Sequence, residues 1–218
     1  MGLWNDITVK AWNANQMVYA MDQMATAGAK APNGCTAGYC FGLAAVWARL
    51  KWRLSEYDYD RNSYEYSGTD WLAVKVQKAY DTELAKASST WTPVTRALAV
   101  ADMKLVYGKS QTSPTSVHGS GLFNVLENGD QVAGTKGGNG IYIIGVNGTY
   151  GAHAFTILNA SDRYWYLFDG NYGLFKMQGN GAFKDFLVWY IGAQGTKYSS
   201  KYGAEWMLAC AVPTWVQT

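Results

Sequence analysis

One cysteine, one histidine and one aspartate stand where thiol chemistry needs them. Cys40 opens the apolar run Gly38-Tyr39-Cys40-Phe41-Gly42-Leu43-Ala44-Ala45-Val46-Trp47, whose spacing predicts a helix reaching about Leu54. At the first turn of a helix, unpaired N–H groups and the macrodipole favour an anion, the form in which a thiol is a nucleophile. His153 and Asp169 come much later, on two predicted strands joined by the turn-forming run Asn159-Ala160-Ser161-Asp162. A hairpin turning about Ser161 sets His153 directly opposite Asp169 on one face, with Cβ atoms about 4.5–5.5 Å apart. A carboxylate so placed orients the imidazole and supports its charged form, so that the ring can take a proton from a thiol. The N–H of Cys40 is a candidate donor to a developing oxyanion, and Asn33, in the loop just upstream, is a candidate second donor. Gly42 reads as leaving room beside the sulfur for a substrate backbone.

The other reactive side chains carry plainer readings. Cys35 precedes a loop without helix support, and Cys210 sits in the apolar run Met207-Leu208-Ala209-Cys210-Ala211-Val212, which reads as core. His118, in Pro114-Thr115-Ser116-Val117-His118-Gly119, reads as a solvent loop residue and is the substitute base if His153 is not the one. Three cysteines form no disulfide framework, and Cys35 and Cys40 are expected reduced. A zinc site would need all three to converge, so no metal or organic cofactor is implied.

The elements that must hold these residues follow from periodicity. Helices are predicted over Val9–Ala27, Cys40–Leu54, Trp71–Ala87 and Pro93–Tyr107, with a short one over Gly121–Glu127. After Gly140 the period changes to two. Strands are predicted over Ile141–Val146, His153–Leu158, Tyr164–Phe168, Gly173–Met177 and Trp206–Val212, interrupted by a helix over Ala182–Ile191. Helices first and antiparallel strands second predict an α+β fold. The chain is expected to be a single domain over 1–218, with a helical half at about 1–130 and a sheet half at about 140–218.

Composition narrows the function classes. With 49% hydrophobic and 16% charged residues the chain is a compact globule rather than a disordered one. A formal charge of +2 with no basic cluster argues against nucleic acid as a partner. No window is long and apolar enough for stable membrane insertion. The N-terminus has no basic segment followed by an apolar one, so the expectation is a cytoplasmic protein or one exported without a cleaved signal peptide. The loop carrying Glu56, Asp58, Asp60, Glu65 and Asp70 reads as a solvated surface.

The blocks around the three residues resemble the YopT-type cysteine peptidases, papain-like bacterial effectors and toxin domains. Cys40-Phe41-Gly42-Leu43 with Trp47 matches that family's cysteine block, Gly151-Ala152-His153-Ala154-Phe155 its histidine strand, and Asp169-Gly170-Asn171-Tyr172-Gly173 its aspartate block. Gly170 replaces the family's usual proline, and an extra alanine separates Gly151 from His153. The resemblance implies a papain-like fold, with the helical half packed on the antiparallel sheet, and a Cys40–His153–Asp169 triad. It also implies a cysteine endopeptidase secreted into a target cell as a virulence factor or toxin, acting on a protein of a host or competitor. It leaves room for a chaperone or immunity protein as partner. Two rival readings use the same residues differently. A glutamine deamidase, transglutaminase or peptidoglycan amidase would pass through the same thioacyl intermediate, and a non-catalytic protein-binding module would use the three residues for packing.

Overall fold

The computed structural model describes residues 3–21, 39–53, 67–86, 89, 91–111, 119–127, 140–148, 151–160, 163–191 and 205–215. Among these residues the chain forms α1 (Leu3–Asn13), β1 (Met17–Ala20), α2 (Cys40–Arg53), α3 (Ser67–Leu84), α4 (Trp91–Val100), β2 (Met103–Gln111) and α5 (Gly119–Glu127). They are followed by β3 (Gly140–Gly148), β4 (Gly151–Asn159), β5 (Tyr164–Asp169), β6 (Gly173–Gln178), α6 (Gly179–Ile191) and β7 (Glu205–Pro213). The strands make one antiparallel sheet in the order β1-β6-β5-β4-β3-β7-β2. This is the α+β class that the change of period predicts. The two outer strands, however, come from the first half of the chain. No helix among the described residues is long and apolar enough to cross a membrane.

Two predicted helices end early, for one reason. The helix expected over Val9–Ala27 stops at Asn13, where Asn15 takes φ 53° and Gln16 N donates to Ala11 O at 2.8 Å, and β1 follows. The helix expected over Pro93–Tyr107 stops at Val100, where Asp102 takes φ 55° and β2 follows. Asn and Asp tolerate the left-handed conformation better than other side chains, so each closes a helix without a glycine. Residues 22–27 lie outside the described residues.

The sheet is covered on both faces, and alternation along each strand divides the core. Ile141, Ile143, Ala154, Leu158, Tyr166 and Phe168 face α2, α3 and α4. Tyr142, Ile144, Phe155, Ile157, Trp165 and Leu167 face α1, α5 and α6. Helix α2 is fixed on its face by ring stacking of Trp47 on Phe168, 5.3 Å between centroids and 3° between planes. Thr156 Oγ1 donates to Ala44 O at 2.8 Å in the same interface, satisfying a buried hydroxyl while tying α2 to β4.

Gly42 lets α3 come close to this helix. A Cβ there would lie 1.9 Å from Ala73 O, so the missing side chain serves helix–helix approach and not, as its place beside Cys40 suggests, a substrate backbone. The clash is with main chain, which cannot turn aside. Gly42→Ala is therefore expected to destabilise the fold by about 3 kcal/mol, despite the roughly 1 kcal/mol that alanine gains in a helix interior. Thermal unfolding should show a loss of roughly 6–12 °C; an unchanged Tm would refute the close-contact account.

Candidate active site

Cys40, His153 and Asp169 meet at the end of the β4–β5 ladder. The ladder runs from Asn159↔Trp165 to Thr156↔Phe168 and then stops, as β5 leaves for the turn ahead of β6. Its register differs by two residues from a hairpin turning about Ser161. Continued past its last pair it sets Asp169 beside Phe155, one diagonal step from His153. A shift of two preserves the face, because side chains alternate with period two. The two side chains are diagonal neighbours, and His153 Nε2 donates to Asp169 Oδ2 at 2.8 Å.

Asp169 is wholly buried, yet each oxygen has a donor. Oδ2 accepts from His153 and also from Tyr190 Oη at 2.6 Å, and Oδ1 accepts from Asn171 N at 2.8 Å. The last of these closes an Asx-type turn, with Tyr172 N donating to Asp169 O at 3.0 Å. Gly173 completes the turn at φ 123°, where a Cβ would lie 2.0 Å from Tyr19 O of β1. The glycine of the aspartate block is thus demanded by both conformation and space.

Electrostatics follow from these contacts. Burial by itself would push the Asp169 carboxyl up, but the charge and hydrogen bond of His153, with donors from Tyr190 and Asn171, hold it below its ordinary value. Burial would push His153 down. The Asp169 charge and hydrogen bond, with a hydrogen bond and charge from Cys40, instead raise it well above its ordinary value. With Nε2 committed to Asp169, Nδ1 is the nitrogen left to exchange a proton with the Cys40 thiol. Asn171 Nδ2 lies 3.4 Å from the same Nδ1.

Cys210 is buried in β7, and burial pushes its thiol up to about 11, as a core cysteine requires. Asn33, Cys35 and His118 lie outside the described residues. Tyr190, on α6, escapes sequence reasoning because it sits among the apolar residues of a core stripe. The Asn171 contacts were hidden within a block that resemblance alone singled out.

The signs of the two shifts define a pH window. Asp169, held low, contributes stability that is present above about pH 4 and is lost as pH falls through its lowered pKa. His153, held high, contributes stability that is present below about pH 6.5 and is lost as pH rises through its raised pKa. Wild type should exceed Asp169→Asn by about 3 kcal/mol at pH 5–6, with the gap narrowing below about pH 4. Urea unfolding at several pH values measures this, and a gap independent of pH would exclude a charged pair. Tyr190→Phe leaves a buried carboxylate short of one donor and is expected to cost about 2 kcal/mol by the same measurement.

No family model matches the chain, and no curated protein matches it in sequence. Among solved structures, the crystal structure of the Pseudomonas avirulence protein AvrPphB matches with a TM-score of 0.65 at 15% identity, over 91% of this chain and 98% of that one. The cysteine protease-like domain of the Photorhabdus asymbiotica toxin PaTox aligns with a TM-score of 0.41 at 9% identity, over 95% of this chain and 58% of that one. The likeness to AvrPphB is one of fold. The chain has the papain-like α+β fold that AvrPphB has.

Proposed function

We propose that this chain, acting as a single domain, is a papain-like cysteine endopeptidase that is secreted and cleaves a protein of a target cell. The observation that carries the reading is the contact of a helix-terminal thiol with an imidazole whose other nitrogen is held by a buried carboxylate. Burial, charge pairing and hydrogen bonding all act on the same ring, which is the arrangement a thiolate–imidazolium pair requires. The papain-like fold supports the same reading.

In this mechanism His153 Nδ1 takes the proton of Cys40, and the thiolate attacks the scissile carbonyl carbon. The carbonyl oxygen becomes an oxyanion facing the Cys40 N–H. As the C–N bond breaks, the imidazolium returns its proton to the leaving amine, giving a thioester and an amine product. Water then gives a proton to His153 and attacks the thioester, releasing the acid and the thiol. Asp169 keeps its charge throughout, orienting the ring and balancing the imidazolium.

Alkylation of Cys40 by iodoacetamide at pH 6 tests the pair without a known substrate. Wild type is expected to react at least about tenfold faster than free cysteine, and His153→Ala to fall back to the free-cysteine rate. An ordinary rate in wild type would sink the enzyme reading and leave a binding module. Intact-mass analysis of a treated protein then separates the reactions, since an endopeptidase yields fragments whereas a deamidase leaves the chain uncut.

A further inference from the structure

The first turn of α2 is capped from a neighbouring helix. Gln77, buried on α3, lays its Oε1 3.0 Å from Phe41 N and 3.1 Å from Gly42 N and accepts from both. Its Nε2 donates to Asp81 Oδ1 at 2.9 Å, so both ends of the amide are used. Leu43 N donates to Tyr39 O at 2.9 Å. Among the described residues none accepts from the Cys40 N–H, which remains beside the thiol. The cap depends on Gly42, because Gln77 lies one turn beyond Ala73, the residue that the missing side chain allows to approach.

The chemical identity of the cap is informative. A helix N-terminus gains stability from a carboxylate, and glutamate has the shape of glutamine. A glutamate here would accept from the same two N–H groups. Yet α2 has no acidic residue in its first turn, and its cap is an uncharged amide. We infer that Gln77 is a positioning residue of the active site: a neutral cap that fixes the first turn of α2 without setting a negative charge against the Cys40 thiolate.

The inference rests on the thiol-hydrolase reading above. Among the described residues, the ionisable groups around the thiol are His153 from β4, backed by Asp169, and Tyr80 from α3, which stacks on Phe41 at 4.4 Å. Burial first, then the Cys40 and Asp81 charges, hold the Tyr80 hydroxyl above its usual range, so it stays neutral. Asp81 faces the far end of the Gln77 amide.

Gln77→Glu in the full chain tests the inference, with iodoacetamide alkylation followed from pH 6 to pH 9. The variant keeps both acceptor contacts but loses the bond to Asp81 and sets two carboxylates together, so some loss of thermal stability is expected. Its rate at pH 6 should fall about tenfold, because a charge this close acts through little screening. The rate at pH 9 should approach that of wild type. Adding Asp81→Asn removes repulsion between neighbouring carboxylates and should leave the pH 6 rate low. Wild-type reactivity at pH 6 in a folded Gln77→Glu overturns the inference and spares the nucleophile. A wild type no faster than free cysteine overturns the thiol-hydrolase reading itself. Failure of both variants to fold overturns the inference too, since a neutral cap differs from a charged one in reactivity and not in whether it can accept.

Discussion

A carboxylate taken wholly out of water is stable only where donors replace its hydration, and Asp169 obtains them from three elements. His153 arrives from β4, Tyr190 from α6, and Asn171 from the turn that follows Asp169 itself. Each donor fixes one spatial relation. The β4–β5 register must place His153 on the face of Asp169. Helix α6 must lie across that face, and the turn must fold back tightly enough to offer a backbone N–H. The aromatic packing around Tyr190, with Phe155, Tyr172 and Phe175 at edge angles and Phe186 stacked, holds its hydroxyl on target. One buried charge thus organises the sheet face, the helix above it and the turn at its end.

The opposite layer answers a different constraint. Helix α2 must present its first residue at the sheet's end, so it is held by main-chain and ring contacts along its length. Thr156 bonds to Ala44 O, Trp47 stacks on Phe168, and Trp52 Nε1 donates to Ala211 O at 3.2 Å. Its N-terminus is pressed against α3 where Gly42 permits, and Gln77 closes the gap. These contacts lie on successive turns, which makes α2 a rigid mount for a thiol.

Much of this is visible in the residue types, for reasons that are physical. The change from a 3.6 to a 2 period after Gly140 separates helices from strands because burial follows one face of each. His153 and Asp169 share a face under either register, since an error of two residues leaves alternation intact. What stays hidden depends on three dimensions. The left-handed turns at Asn15 and Asp102 end helices whose apolar pattern runs on, so β1 and β2 read as helix. Gln77 and Tyr190 are ordinary members of helical stripes until another helix or strand is brought against them. Gly42 looks like space for a ligand because its true neighbour, Ala73 O, comes from a different helix.

Strand β1 joins the sheet far from its place in the sequence. It pairs with β6 at Met17↔Phe175 and Ala20↔Gly173, and Met21 N donates to Tyr172 O at 3.0 Å, so the aspartate turn is closed by residues from near the other end of the described chain. Pairings of such long separation bear the full entropy of loop closure before they return any stabilisation, and they form slowly. Cys40, His153 and Asp169 are therefore brought together by long-range pairings rather than by a local segment. The contact between the three side chains is a property of the finished fold and is coupled to its completion.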